Sequence, residues 1–214
     1  MRSYDDPCGV ARALDTVGER WALLVVRDLL LGPKRFTDLA AGLPGMSQNV
    51  LAQRLRDLEG HGLVRRRVLG PPSGARVYEL TDAGHELEEV VLALARWGSR
   101  APLVDRATLT ADALALALRT TFDAAGAGDL RARVALHPGT DRFATEIADG
   151  RFRIVRGEAA DPDAVLTADA GVLQGIVFGG ADLPPGTVTG DRALAERFVR
   201  LFPRPAPRVG SAGG

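Results

Sequence analysis

Asn49, Gln53 and Arg56 share one side of a short helical stretch, and their chemistry suits the edges of DNA bases. Side-chain amides pair with adenine, and a guanidinium pairs with guanine or with phosphate. At about 100° per residue, Val50, Leu51, Leu55 and Leu58 fall on the other, apolar side. Upstream, Leu43-Pro44-Gly45-Met46 ends a helix that begins near Phe36, and Ser47 offers a side-chain oxygen to cap the helix that follows. Two short helices joined by a tight turn, the second with a polar face poor in acid, describe a helix-turn-helix whose second helix enters the major groove. A plain pair of surface helices is the competing reading of this window alone.

The next residues favour the DNA reading. Residues 63–69 are strand-like, Gly70-Pro71-Pro72-Ser73-Gly74 breaks them, and residues 76–80 are strand-like again. A hairpin with a Pro/Gly tip directly after a reading helix describes a wing. Arg65, Arg66 and Arg67 are placed to meet phosphates, and Arg76, near the tip, to reach a minor groove. Lys34 and Arg35, where the first helix of the pair begins, are placed to clamp a phosphate.

The supporting elements flank this unit. Val10, Leu14 and Val17 recur at helical spacing, and residues 21–31 form a mostly apolar helix closed by Gly32-Pro33, the pattern of a buried central support. Leu87, Val90, Val91, Leu94 and Trp97 lie along an amphipathic helix running to about Arg100. Exposed apolar surface on such terminal helices suits a subunit contact, and dimers match the half-sites of a palindromic operator.

Composition bounds the reading. The 214 residues carry zero net charge, with 46% hydrophobic and 25% charged residues, ordinary for a globular protein. Eight basic residues stand against three acidic ones between Lys34 and Arg76, a local excess of +5. A local basic patch on a neutral chain favours selective over blanket binding. No apolar run approaches the ~20 residues of a membrane helix and no signal peptide is apparent, so a cytoplasmic protein without membrane contact is expected. One cysteine and three scattered histidines make neither a disulfide framework nor a metal-ligand spacing.

Residues 8–98 resemble the HxlR branch of winged-helix regulators, related to the MarR group. The likeness rests on Cys8, Ala13-Leu14-Asp15, Arg20-Trp21-Ala22-Leu23-Leu24, Gly32-Pro33-Lys34-Arg35-Phe36, Leu43-Pro44-Gly45-Met46-Ser47-Gln48, Leu51-Ala52-Gln53-Arg54-Leu55-Arg56-Asp57-Leu58, Gly62-Leu63-Val64 and Tyr78-Glu79-Leu80-Thr81. It implies a homodimeric DNA-binding transcriptional regulator, by family default a repressor, with dimerisation through the first and last helices of the domain. It places Ser47, Gln48, Asn49, Gln53 and Arg54 at the DNA, with Arg76 on the wing. Arg54 projects to the margin of the core face, where a structural salt bridge is an equal expectation. Gly9 stands where the family commonly has proline after the cysteine, and the wing is slightly longer.

Cys8 is a candidate redox or electrophile sensor, since some relatives use an N-terminal cysteine. A helix N-terminus lowers a thiol pKa, while neighbouring Asp5 and Asp6 oppose that. The alternative is a small space-filling residue.

The second half reads as a separate α+β domain over residues 108–203, joined to a winged-helix domain at 1–100 by a linker at 101–107 and followed by a disordered tail at 204–214. A capped helix with Leu114, Ala117, Leu118 and Phe122 precedes alternating strands at residues 130–136, 142–147 and 151–154, with Asp149-Gly150 as a hairpin turn. One apolar and one wet face suggest an antiparallel sheet covered by helices. A strand at 164–167, a helix at 170–179 and a helix at 191–202 follow.

This half resembles a sterol carrier protein type 2 domain through Asp163-Ala164-Val165-Leu166-Thr167-Ala168-Asp169, Leu173-Gln174-Gly175-Ile176 and residues 189–202, a last helix opened by Gly190-Asp191. The resemblance implies an apolar cavity for lipids or other hydrophobic effectors. Phe143, Ile147, Phe152, Ile154, Leu173, Ile176, Phe178 and Phe198 are candidates to line it, against a filled core as the alternative. No nucleophile elbow, phosphate loop or metal cluster is present, so neither an enzyme nor a cofactor is expected. A ligand-responsive regulator is the leading reading. A hydrophobic-ligand carrier whose winged helix does not read DNA is the alternative.

Overall fold

The computed structural model describes residues 4–101 and 108–206. Most of the expected linker and tail lies outside the described residues. The chain divides into two compact units, residues 1–91 and 92–214. No helix among the described residues is long and apolar enough to cross a membrane.

In the first unit, α1 (Gly9–Val17) and α2 (Ala22–Leu29) precede the helix pair α3 (Phe36–Gly42) and α4 (Gln48–Gly60). The strands β1 (Val64–Val68) and β2 (Arg76–Leu80) form an antiparallel ribbon, followed by the short α5 (Asp82–His85) and by α6 (Leu87–Gly98), within which the first unit ends. Val25, Val26 and Leu29 of α2 are fully or almost fully buried, as are Leu39, Leu51, Leu55 and Leu58 from the helix pair. The apolar α2 is thus the support for the two helices, as its composition predicts.

The end of α4 sets the wing. Gly62 adopts a left-handed φ of +70°, and the Leu63 N–H reaches back 2.9 Å to the Leu58 carbonyl, closing the helix and turning the chain into β1. Thr81 ties the other strand to the same corner. Its hydroxyl donates to the Gly62 carbonyl at 2.6 Å and its N–H donates to the Leu63 carbonyl at 3.0 Å. The ribbon gains a third partner from Lys34, whose backbone exchanges hydrogen bonds of 3.0 and 2.8 Å with Tyr78.

The second unit contains α7 (Ala111–Thr121), α8 (Ala124–Ala127), β3 (Ala132–Pro138), β4 (Phe143–Ala148), β5 (Arg151–Arg156), β6 (Ala164–Ala168), α9 (Ala170–Gly179), β7 (Val188–Gly190) and α10 (Arg192–Val199). The sheet order is β5-β4-β3-β6-β7. The expectation of a purely antiparallel sheet is corrected at one pairing: β6 runs parallel to β3. After the β5 hairpin the chain crosses two strands through residues 157–163, and Asp163 anchors the return by accepting the Arg133 N–H on its side chain at 2.7 Å. Periodicity reports which face a residue occupies, not strand direction, so this crossover has no local signature.

Candidate nucleic-acid interface

The α4 helix is held with its polar face outward. Ser47 Oγ accepts the Val50 N–H at 3.3 Å and caps the helix, as its position predicts. Leu51, Leu55 and Leu58 turn inward, leaving Ser47, Gln48, Asn49, Gln53 and Arg56 exposed. Val50, expected on the apolar side, is exposed too, because the buried arc is only as wide as three leucines. Gly45 supplies a φ of +87° in the turn before the cap, over a floor made by the Trp21 indole: a Cβ at Gly45 would stand 3.8 Å from the ring.

The exposed polar side chains of α4 are hydrogen-bonded to one another. Arg56 Nη2 donates to Gln53 Oε1 at 2.6 Å, and Gln53 Nε2 donates to Asp57 Oδ1 at 2.7 Å. The other Asp57 oxygen lies 3.1 Å from Arg54 Nη2, whose partner nitrogen Nη1 is 3.3 Å from Glu19 Oε2. Arg54 takes the salt-bridge alternative stated for it: its side chain is 16% exposed and lies between two carboxylates. Asp57 and Glu19 were not singled out by the sequence. The i,i+3 and i,i+4 spacings of Asp57 from Arg54 and Gln53 were the available signal, whereas Glu19 had none.

The expectation that Lys34 is exposed at the start of the helix pair is corrected. Its side chain is buried, with Nζ 3.8 Å from Asp28 Oδ2, while Arg27 Nη2 sits 2.7 Å from the other oxygen of the same fully buried carboxylate. It neutralises an internal charge and is not available to clamp a phosphate. Lys34→Met is expected to lower stability by about 1–3 kcal/mol, since Asp28 keeps Arg27 but loses one cation. The salt dependence of any DNA binding should be unchanged. A reduced salt dependence with native stability would restore Lys34 to the interface.

On the wing, Arg65 Nε and Arg67 Nε lie 2.8 and 3.1 Å from the two oxygens of Glu79, so one carboxylate serves two guanidinium groups that remain exposed. Arg66 points to the other face, pairs with Glu59 at 2.9 Å and stacks 5.5 Å from the Tyr78 ring. Arg35 is exposed and reaches Ser73 Oγ at the wing tip at 3.5 Å, while Arg76 is exposed on β2. Among the described residues of the helix pair and wing, Arg35, Arg56 and Arg76 have no ion pair, and Arg65 and Arg67 share one carboxylate. Arg56 stands on the outward face of α4 itself, Arg35 at the start of α3, and Arg65, Arg67 and Arg76 on the ribbon that follows the corner at Gly62.

The HxlR-like helix-turn-helix family model matches residues 16–104, which contain this whole assembly. The "Uncharacterized HTH-type transcriptional regulator YvaP" of Bacillus subtilis (strain 168) is 38% identical over 89 residues, covering 41% of this chain and 82% of the relative. This chain belongs to the HxlR-like helix-turn-helix family. The "HTH-type transcriptional regulator YodB" of the same organism is 35% identical over 88 residues, 41% of this chain and 79% of the relative. A solved structure titled "Redox regulator HypR in its oxidized form" is 33% identical, with a TM-score of 0.42 over 45% of this chain and all of the other. In this HxlR-like protein the helix-turn-helix, cap and wing are thus present in one unit, and its relatives are HTH-type transcriptional regulators.

Cys8 precedes the HxlR-like match, is exposed and occupies the N-cap of α1. The Val10 and Ala11 backbone N–H groups favour its thiolate and lower its pKa below that of an ordinary cysteine.

The eight candidates for an apolar cavity belong to the core of the second unit. Phe143, Ile147, Ile154, Leu173, Ile176 and Phe198 are buried, and Phe152 and Phe178 are partly so. Phe152 and Phe198 interlock with Phe122 and Phe202 at centroid distances of 5.0–6.2 Å, so these rings fill the space they were expected to line. A cleft of about 530 Å³ lies instead beside Ile176, Val177, Leu183, Arg192, Glu196 and Val199. Of the eight candidates, only Ile176 borders it.

Proposed function

We propose that this chain is a homodimeric, non-catalytic transcriptional repressor that reads a palindromic operator with α4 and its wing. The observation that carries the reading is the outward row Gln48, Asn49, Gln53 and Arg56, capped by Ser47 and flanked by uncompensated arginines, on a helix-turn-helix of a family whose members include transcriptional regulators. Amides and a guanidinium along the outward face of a reading helix match the donor and acceptor pattern of the major groove. Exposed apolar side chains on α1 (Val10 and Leu14) and on α6 (Val90, Leu94 and Trp97, the last 63% exposed) support dimerisation through those helices.

Selection of binding sites from random duplexes tests the reading, and an inverted repeat is expected. With about four uncompensated cations per protomer, a dimer on both half-sites should show log K falling with log salt at a slope of about −7. A flat salt response, or a monomer by sedimentation, counts against it.

The second unit is the proposed effector domain, of sterol-carrier type. The succession β6, α9, β7 and α10, with Asp191 capping the last helix through the Leu194 N–H at 2.9 Å, supports that assignment. The cleft beside Ile176 mixes apolar side chains with Asp182, Arg192, Glu196 and Arg200, a lining suited to an amphipathic effector. An effector must bind the DNA-free arrangement better than the bound one, so it should raise the melting temperature and weaken operator binding together.

Cys8 supplies a second proposed input, reaction with electrophiles. Its alkylation by iodoacetamide should titrate with a midpoint below that of a free cysteine, the thiolate being the reactive form. An ordinary midpoint would remove that input.

A further inference from the structure

We infer that Arg54, held by Glu19 from the junction between α1 and α2, is a positioning residue that fixes the Gln53 amide, through Asp57, for reading an adenine. The inference rests on the DNA-reading role proposed above. A Gln amide is ambiguous by itself, because its oxygen and nitrogen ends exchange by a half-turn of the terminal torsion. Here its neighbours remove the ambiguity. A carboxylate only accepts and a guanidinium only donates, so the amide nitrogen must face Asp57 (2.7 Å) and the oxygen must face Arg56 (2.6 Å).

Each contact uses half of the amide's capacity. One N–H and one oxygen lone pair remain, the complement of adenine N7 and its N6 amino group. The orientation matters as well as the identity. With oxygen and nitrogen ends fixed, the amide edge has a sense, and it matches adenine on one strand better than its thymine partner.

Arg54 determines whether Asp57 can do this. The Asp57 carboxylate is oriented by two contacts, Gln53 on Oδ1 and Arg54 on Oδ2 at 3.1 Å. Arg54 is in turn anchored outside α4 by Glu19 at 3.3 Å, in the segment that joins α1 to α2. Neighbouring Trp21, at the start of α2, lies under the helix-turn-helix turn at Gly45. The chain Glu19–Arg54–Asp57–Gln53–Arg56 thus runs from the support helices to the base-reading face, and Arg54 acts there through Gln53 without touching a base.

The test uses the full chain, the selected operator duplex and duplexes changed only at the base pair that depends on Gln53, identified with Gln53→Ala. Arg54→Met keeps the aliphatic stem and removes the guanidinium. It is expected to cut the preference for adenine at that position about tenfold or more, the scale of one bidentate contact. Affinity for a scrambled duplex, and the salt slope measured on it, should stay native. Arg54→Lys should recover part of the preference, and Glu19→Gln, an exposed change that spares the core, should lose part of it.

Unchanged adenine preference in both Arg54→Met and Glu19→Gln overturns the inference. So does an equal loss of affinity on every duplex with a salt slope smaller by about one, which is the signature of a phosphate contact by Arg54 itself. A preferred base other than adenine at the Gln53 position also overturns it. If the native chain selects no sequence at all, the DNA-reading role fails first, a result in which the variants play no part.

Discussion

Replacing Asn49 and Gln53 together by alanine is expected to weaken binding to the selected operator at least about 100-fold while leaving binding to a scrambled duplex nearly native. Each bidentate amide–adenine pair is worth about 1–3 kcal/mol of discrimination, and on the proposed palindromic operator both half-sites lose their pairs together. The fold should not notice. Both side chains are exposed, Gln53 loses only surface contacts to Arg56 and Asp57 worth a few tenths of a kcal/mol, and alanine favours helix more than either residue it replaces. The exposed cations proposed to meet phosphates, Arg35, Arg56, Arg65, Arg67 and Arg76, remain, so the salt slope should also remain. Anisotropy titrations on the two duplexes, with melting curves as control, measure this directly. Undiminished operator affinity would show that α4 does not read bases. A parallel loss on both duplexes would show that the amides serve phosphates.

The reading unit was legible in the sequence because its signals are local. Leu51, Leu55 and Leu58 at helical spacing, the Leu43-Pro44-Gly45-Met46 break and the Ser47 cap each report on the conformation of their own few residues, and all three agree with the structure. The charges were not legible in the same way. Lys34, Arg35, Arg54 and Arg65 look equivalent as letters, yet Lys34 is neutralised by Asp28 from another helix, Arg54 by Glu19 from the α1–α2 junction, and Arg65 by Glu79 across the ribbon, while the Arg35 guanidinium reaches the Ser73 hydroxyl. A cation's role depends on whether a carboxylate from a distant element reaches it, and no periodicity encodes that. The second unit makes the same point for apolar residues. The alternation that placed Phe143, Ile147, Phe152 and Ile154 inside was sound, but the same alternation describes a lined cavity and a filled core. The aromatic cluster with Phe122 and Phe202 decides for filling at Phe152 and Phe198. The short β7 was missed for a third reason, since Val188-Thr189-Gly190 is too brief to alternate and gains its strand identity only by pairing with β6.

Gly84→Ala is expected to destabilise the N-terminal unit by about 3 kcal/mol, against the ordinary rule that alanine improves a helix. Gly84 lies in α5, and a Cβ there would collide with the Leu63 carbonyl oxygen and approach the Leu80 side chain at 3.1 Å. The carbonyl cannot yield easily. It belongs to the residue that closes α4 and leads into β1, and it already accepts the Thr81 N–H at 3.0 Å. Relief therefore requires α5 to lift from the corner where α4, β1 and β2 meet, which also shifts the wing arginines relative to the reading helix. Operator affinity should fall beyond what the folded fraction accounts for, because phosphate contacts and base contacts would no longer be in register. Gly98→Ala is the control: nothing lies within 4 Å of a Cβ at Gly98, so its effect should stay within about 1 kcal/mol. Chemical denaturation followed by tryptophan fluorescence distinguishes the two variants. If Gly84→Ala proves as stable as Gly98→Ala and binds operator normally, the corner is not what aligns the wing with α4, and the Lys34–Tyr78 backbone pairing and the Arg66–Glu59 ion pair become the contacts to test next.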